Sequence, residues 1–127
     1  FDNVYINNWA STVGKKEYEG PLCNTFDAYE ADEYFGWDSF EKAESKLQKT
    51  AVQLALNKIG LKDADIDNVF AGDLLNQCIG SSFGLRQFGI PFIGLYGACS
   101  TMALSLIMAS MIPSSLPILI TTTAVPL

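Results

Sequence analysis

The clearest hydrophobic pattern in the chain is a run of apolar residues at three- and four-residue spacing between positions 40 and 55. This spacing predicts an amphipathic helix with one apolar face. Asp38 or Ser39 can cap its amino end, and Glu41 completes a capping box if Asp38 is the cap. Gly60 supplies the left-handed residue that ends such a helix. The apolar face consists of Phe40, Ala43, Leu47, Ala51, Leu54 and Ala55.

Short apolar runs bounded by turn residues predict the remaining elements. We expect short helices at residues 82–88 and 99–111, and a polar turn at residues 63–67. Strands and helices then alternate, which implies a parallel sheet with right-handed crossovers. The predicted fold class is therefore α/β, with a parallel or mostly parallel sheet flanked by helices. The predicted strands are residues 4–6, 69–71, 92–96 and 118–122.

Residues 11–38 show no clear period, and Gly14, Gly20 and Gly36 are turn signals within them. A connection of this length without regular structure is unusual in a compact domain. We therefore expect these residues to form a surface excursion that lies over a functional surface.

Composition narrows the class of protein. A length of 127 residues suits one domain or part of a larger one, and 49% hydrophobic residues are enough for a core. The net charge of −6 argues against nucleic acid as a partner, because non-specific binding needs a surplus of Lys and Arg. It also argues against electrostatic docking on anionic lipid.

The chain has no charged residue after Arg86, which raises the question of a membrane span. Residues 102–120 have about the necessary length, but Pro113 and Pro117 interrupt them. A helix that ends at Pro113 is too short to cross a bilayer. We therefore expect a buried helix followed by a strand, and no transmembrane segment.

The three cysteines, Cys23, Cys78 and Cys99, have no CxxC spacing, and no signal peptide is recognisable at the start of the sequence. We therefore expect free thiols and a reducing compartment. The sequence contains no histidine, so a zinc site is not expected and a Cys–His or Ser–His pair cannot be built from this chain. We expect no cofactor, no metal site and no catalytic residue.

Polar residues follow two of the predicted strands, and ligands of open parallel sheets bind beyond the carboxyl ends of the strands. The first group is Asp73 with Asn76, and the second is Cys99 with Ser100 and Thr101. Cys99 would lie at the amino end of a helix, where backbone N–H groups favour negative charge, a thiolate or a bound carboxylate. The candidate ligand-binding residues are therefore Asp73, Asn76, Cys99 and Ser100.

Each of these residues also has a purely structural interpretation. Cys99 can be a small buried hydrophobe, as free cysteines often are. Asp73 can cap the helix that follows it, and Asn76 can be a local turn residue. Cys23 and Cys78 lack a comparable setting, and we expect them to be structural.

Several motifs resemble one known family. AGDLLNQ at 71–77 and GIPFIGLYGACSTMA at 89–103 are similar to the stage V sporulation protein AD family of spore-forming bacteria. EGPL at 19–22, WDSFEKAESK at 37–46 and GLKDADID at 60–67 resemble the same family. The resemblance extends from Val4 to about Met111, and the first two motifs together are its most specific part.

This resemblance implies a thiolase-like fold, of which residues 1–127 would form the amino-terminal portion, with the second half absent. It places Cys99 at the position of the nucleophilic cysteine of thiolases and ketoacyl synthases, whose histidines come from that second half. It also implies a non-enzymatic role, in which the protein binds dipicolinic acid and assists its uptake into the developing spore. Asp73 and Cys99 match ligand-pocket positions, and Asn76 shares their motif. The implied location is peripheral at the spore inner membrane, beside the membrane proteins of the same operon.

The chemistry of dipicolinate fits this expectation, since a helix amino end with the hydroxyls of Ser100 and Thr101 can bind a carboxylate. Because Asp73 would repel a dianion, we hypothesise that the ligand arrives as its calcium chelate with Asp73 facing the metal. Two other functions stay open. One is a thiolase-like acyltransferase with Cys99 as nucleophile. The other is a structural scaffold whose uncharged carboxyl-terminal third is an oligomer interface, for example in a homodimer.

Overall fold

The structure is a computed structural model that describes residues 4–75 and 77–123. It has the predicted α/β architecture, with parallel strands in open sheets and helices packed against them. The strands are β1 (Thr12–Val13), β2 (Ala28–Tyr29), β3 (Asn68–Gly72), β4 (Phe92–Gly94) and β5 (Ile118–Thr122). The helices are α1 (Lys15–Tyr18), α2 (Phe40–Ile59), α3 (Ile79–Leu85) and α4 (Thr101–Met111).

The main sheet has three parallel strands in the order β4-β3-β5. Phe70 in the central strand lies opposite Ile93 on one side and Ile120 on the other. The central strand is fully buried from Val69 onwards, as expected for a strand with a neighbour on each side. The two-residue strands β1 and β2 pair with each other, also in parallel, in a separate small sheet.

Helix α2 begins and ends where its capping residues predict. The Ser39 hydroxyl accepts a hydrogen bond from the Lys42 backbone N–H, so Ser39 is the amino-terminal cap. Gly60 ends the helix in the left-handed conformation, at a φ of 68°. The predicted apolar face is wrong at every position except Ala43. The fully buried face is rotated around the helix from it and includes two polar side chains. The fully buried residues of α2 are Ala43, Glu44, Gln48, Val52 and Leu56.

The hydrophobic core lies between the main sheet, α2 and α3. Its fully buried members are Val52, Leu56, Ile66, Val69, Ala71, Leu85 and Phe88. Helices α2 and α3 approach closely at Gly84, where an added Cβ would lie 2.6 Å from the Ser45 carbonyl oxygen. Burial of these apolar side chains is the main favourable contribution to the packing of α2 and α3 on the main sheet.

Several predicted elements differ from the structure in their bounds, and one predicted strand is absent from the described residues. Residues 4–6 are not a strand and their side chains are mostly exposed, because no strand of the described chain pairs with them. The helix predicted at 82–88 begins earlier, at Ile79, and its last turn is a separate 3₁₀ turn, Arg86–Phe88. The strand predicted at 92–96 stops at Gly94.

Helix α4 differs from the expected buried helix. It is preceded by a 3₁₀ turn, Ala98–Ser100, and among its eleven residues only Thr101 and Ser105 are fully buried. Its larger side chains, including Ile107 and Met111, are exposed, because it is the small polar residues that face the sheet. Within residues 4–75 and 77–123, no helix combines the length and apolar character needed to cross a membrane.

The surface excursion at residues 11–38 contains α1, a 3₁₀ turn and the small sheet. An ion pair of 2.5 Å between the Asp27 carboxylate and Lys58 Nζ joins it to the last turns of α2. The Asp27 carboxylate also accepts a 2.8 Å hydrogen bond from the Ser11 N–H, and the Tyr18 and Tyr29 rings stack on each other. The Lys58 contact and these hydrogen bonds lower the pKa of Asp27.

Candidate functional site

The carboxyl edge of the main sheet is where β3, β4 and β5 end, at Gly72, Gly94 and Thr122. Because all three strands are parallel, the residues that follow them lie at one edge. Asp73 follows β3, and the turn that contains Cys99 follows β4. This is the edge at which open α/β sheets bind ligands.

Gly72 brings these two segments into contact. A Cβ at this position would lie 2.5 Å from the Leu95 carbonyl oxygen and 2.6 Å from Thr101 Cγ2, so only glycine fits. The backbone that leads into Asp73 therefore lies directly against the start of α4, two residues beyond Cys99. The predicted convergence of the two strand ends is present at the level of the backbone.

The turn that carries Cys99 is tightly tied and holds the thiol outside the core. The Ser100 hydroxyl donates a 2.6 Å hydrogen bond to the Gly97 carbonyl oxygen, and the Gly97 N–H donates to Thr101 Oγ1 at 3.2 Å. Ala98 has a φ of 46°, a left-handed conformation that is strained for a residue with a Cβ. Cys99 itself is exposed, so its interpretation as a buried hydrophobe is wrong.

The Asp73 carboxylate is used mainly to hold the start of α3. One oxygen, Oδ2, accepts hydrogen bonds from the Ser81 N–H at 2.7 Å and the Ser81 hydroxyl at 2.6 Å. The other oxygen accepts from the Leu75 N–H at 3.0 Å. Asp73 therefore accepts from an N–H group in the first turn of α3, although the N-cap position of that helix is Cys78. Asn76, the third predicted residue, lies outside the described residues.

Two buried polar side chains of α2, Gln48 and Glu44, also contact this edge of the sheet. The sequence analysis did not predict either of them. Gln48 is 1% exposed, and its Nε2 donates to the Ser81 hydroxyl at 2.9 Å and to the Gly72 carbonyl oxygen at 3.4 Å. Glu44 is 3% exposed and accepts a hydrogen bond from the Thr123 hydroxyl, just after β5. Helix α2 thus supplies two polar side chains to the carboxyl edge of the sheet.

The four-residue spacing of Glu44, Gln48, Val52 and Leu56 is the signal that could have revealed this group. These positions lie on one helical face, and the last two are plainly core residues. Burial is the main factor that raises the pKa of Glu44, and the nearby Asp73 charge adds to it. This carboxyl is thus easier to protonate than an exposed glutamate.

Cys78, and not Cys99, is the buried thiol of this region. It is 3% exposed and donates a 3.4 Å hydrogen bond to the Leu95 carbonyl oxygen. Burial and the negative charge of Asp73 raise the pKa of Cys78, which keeps it a thiol. All three cysteines are free, as predicted. In the described part of the chain, no group of three or more Cys, Asp or Glu side chains is arranged to hold a metal ion.

Comparison with known proteins agrees with the motifs. The family model of Stage V sporulation protein AD matches residues 1–122. The chain is 38% identical over 107 residues to Stage V sporulation protein AD of Bacillus subtilis (strain 168). That match covers 84% of this chain and 32% of the Bacillus protein, so the chain spans about a third of its relative. The chain belongs to the Stage V sporulation protein AD family.

Proposed function

We propose that this chain contributes to a binding site for dipicolinic acid, and that it assists the uptake of this compound into the developing spore without catalysing a reaction. The site is the carboxyl edge of the main sheet, between the Asp73 loop and the Cys99 turn. The proposal is supported by the family to which the chain belongs. It is also supported by what the resemblance of the two strand-end motifs, AGDLLNQ and LYGACSTMA, implies.

The observation that carries the proposal is the close approach at Gly72. Thr101 Cγ2 would lie 2.6 Å from a Cβ there, so the segments that contain the predicted ligand residues lie directly against each other. The Cys99 turn leads directly into α4, and its Ser100 and Thr101 N–H groups donate to the Gly97 and Ala98 carbonyl oxygens. A carboxylate would therefore bind the earlier N–H groups of the turn, as carboxylates do at helix amino ends. Ser100 can add a hydroxyl donor if a ligand oxygen replaces the Gly97 carbonyl as its acceptor.

The charge of Asp73 sets the form of the ligand. Three of the roughly four lone-pair positions of a carboxylate are occupied here by hydrogen bonds from Ser81 and Leu75. The negative charge of Asp73 would repel a free dicarboxylate. Its remaining lone pair can instead coordinate a hard cation such as calcium. We therefore propose that the ligand is the calcium chelate, in which the metal separates Asp73 from the two carboxylates.

Isothermal titration calorimetry with dipicolinate, in the presence and absence of calcium, tests this proposal. We expect binding in both conditions with a higher affinity when calcium is present, and Asp73→Asn should remove most of that difference. Ser100→Ala and Cys99→Ala should each weaken binding by about three- to tenfold, the value of one typical hydrogen bond. Cys23→Ala, at a half-buried position in the excursion, is the matched control and should bind like the parent chain.

The calorimetric results have clear contrary outcomes. Equal affinities with and without calcium would contradict the chelate, and the absence of binding in both conditions would contradict the site. A circular dichroism melt of each variant separates lost binding from lost folding. Turnover of an acyl-coenzyme A that depends on Cys99 would support the acyltransferase alternative, for which the exposed thiol at a strained turn is the relevant observation.

We also propose that residues 1–127 form the amino-terminal portion of a thiolase-like domain. The parallel α/β sheet and the strand–turn–cysteine–helix order of residues 92–111 support this. In this arrangement the protein acts peripherally at the spore inner membrane, beside the membrane proteins of its operon. Fractionation of sporulating cells, with and without those membrane proteins, tests the location: loss of the protein from the membrane fraction in their absence is expected.

A further inference from the structure

We infer that Gln48 is a positioning residue of the proposed binding site. Acting through Ser81, it fixes the Asp73 carboxylate so that the oxygen Oδ1 is the one left to coordinate a cation. This inference rests on the proposed function. It adds to the site a buried residue of α2 that lies outside the family motifs of the sequence.

The Gln48 amide holds the chain on both sides of Asp73. Gln48 is 1% exposed, and its Nε2 donates to the Gly72 carbonyl oxygen at 3.4 Å and to the Ser81 hydroxyl at 2.9 Å. Gly72 is the residue before Asp73, and Ser81 is the hydrogen-bond partner of the Asp73 carboxylate. One amide group therefore restrains both the backbone that leads into Asp73 and the residue that binds its side chain.

The direction of these hydrogen bonds follows from the chemistry of the groups. A backbone carbonyl oxygen can only accept, so the Gln48 atom that bonds to the Gly72 oxygen must be the amide nitrogen. The same nitrogen donates its second hydrogen to Ser81 Oγ. The single hydroxyl hydrogen of Ser81 is then donated to Asp73 Oδ2, at 2.6 Å. Hydrogen bonds linked in series in this way polarise and strengthen one another.

As a result, the two oxygens of the Asp73 carboxylate differ. Oδ2 accepts from both the N–H and the hydroxyl of Ser81, which occupies its two lone pairs. Among the described residues, Oδ1 accepts a single hydrogen bond, from the Leu75 N–H at 3.0 Å, and keeps one lone pair. A hard cation at this carboxylate is therefore coordinated by Oδ1.

Packing alone does not account for an amide at position 48. In the part of the chain that the structure describes, Gln48 Oε1 is buried without a hydrogen-bond partner. A buried acceptor without a partner reduces stability, so this amide contributes less to folding than a fully bonded one. The contacts that reach the site come from the amide nitrogen. Removing this donor while keeping the length of the side chain therefore separates positioning from packing.

Amide hydrogen exchange of the ¹⁵N-labelled chain without ligand tests the positioning directly. Gln48→Met keeps the side-chain length and removes the donor. Exchange of the Ser81 N–H, whose acceptor is Asp73 Oδ2, should become faster by about threefold or more. The matched control Gln53→Met makes the same change at an exposed position of α2, and its Ser81 N–H should exchange at the parent rate.

Calorimetry with dipicolinate, with and without calcium, tests the consequence for binding. Gln48→Met should reduce the calcium-dependent gain in affinity by about three- to tenfold, the value of one typical hydrogen bond. Binding without calcium should be unchanged. Ser81→Ala should have the same effects. The double variant should lose no more than the weaker-binding single variant, because both changes act on Asp73 through the same hydrogen bonds.

Three results would overturn the inference: a Ser81 N–H that exchanges at the parent rate in Gln48→Met, losses that add in the double variant, or an equal loss of affinity with and without calcium. The last result is what a merely structural role would produce. A parent chain that does not bind dipicolinate contradicts the proposed function, and the exchange rate of Ser81 then decides the positioning of Asp73 by itself. Circular dichroism shows whether each variant has kept its fold, and Gln48→Leu, which also lacks the donor, replaces Gln48→Met if the latter has not.

Discussion

Glu44 is the residue at which burial and charge conflict most directly. Its carboxyl group is enclosed by α2, Gly80 and Thr123, and a Cβ at Gly80 would lie 3.2 Å from Glu44 Cγ and 3.4 Å from Asp73 Oδ2. Two carboxyl groups thus flank the same glycine at the carboxyl edge of the sheet. An uncompensated charge here destabilises the fold, and protonation relieves it.

Glu44→Gln should therefore change how stability depends on pH. The folded-state pKa of Glu44 lies above the ordinary value of 4.5, so the folded chain binds the proton more readily than the unfolded chain. The stability contribution of neutral Glu44 is complete below 4.5 and is lost as pH rises through the raised pKa. Glutamine stays neutral and retains an oxygen that can accept from the Thr123 hydroxyl. Urea unfolding at a series of pH values should show the variant gaining on the parent as pH rises.

Glu17→Gln is the control, because Glu17 is a half-buried glutamate on a different helix, α1. Its unfolding free energy should follow the parent at every pH. A parallel pH profile for Glu44→Gln and the parent chain would contradict the proposed destabilisation by the buried charge.

At the scale of elements, the packing of α2 on α3 depends on Gly84. A Cβ there would lie 2.6 Å from the Ser45 carbonyl oxygen and 3.0 Å from Ser45 Cα. Both atoms belong to the backbone of α2, so a side-chain rotation cannot remove the clash and the helices must separate.

Gly84→Ala should lower the free energy of unfolding, as measured by urea or thermal melting. Overpacking of a close contact costs about 1–3 kcal/mol, which exceeds the roughly 1 kcal/mol that alanine gains over glycine in a helix. Gly14→Ala, where the nearest atom would be 3.9 Å away, is the control and should leave stability nearly unchanged. Equal stability of Gly84→Ala and the parent would show that the two helices are not in the close contact described.

The elements differ in how well the sequence predicts them, for physical reasons. Strand β5 and helix α2 were predicted at their observed positions because β-branched residues and capping residues act locally. Residues 4–6 have the composition of a strand, but a strand also needs a partner, which a local pattern does not contain. The buried face of α2 was predicted in the wrong place because Glu44 and Gln48 look like solvent-facing residues until the sheet edge that they bind is known.

At the scale of the whole molecule, the sheet edge on which Asp73 and Cys99 lie was predictable and the contacts of their side chains were not. The rule that ligands bind at the carboxyl ends of parallel strands identified the edge that carries Asp73 and Cys99. The same rule says nothing about which way a carboxylate turns, and Asp73 turns toward Ser81 at the start of α3. The predicted proximity therefore holds for the two backbone segments.

The distribution of charge is the other property of the whole molecule. All charged residues lie at or before Arg86, and the groove between α2 and α3 is lined by Lys42, Lys46 and Lys49 together with Glu41. The carboxyl edge of the sheet is formed by different residues, at the ends of β3, β4 and β5. A ligand bound at the sheet edge and a ligand bound at these lysines can therefore be distinguished by a position-resolved experiment.

The most direct test of dipicolinate binding at the sheet edge is a titration followed by the backbone amide signals of the ¹⁵N-labelled chain in two-dimensional NMR. We predict saturable shifts concentrated at residues 72–75 and 97–101, on the two segments that meet at Gly72. Shifts confined to the groove between α2 and α3, or no saturable shifts at all, would contradict the proposed site.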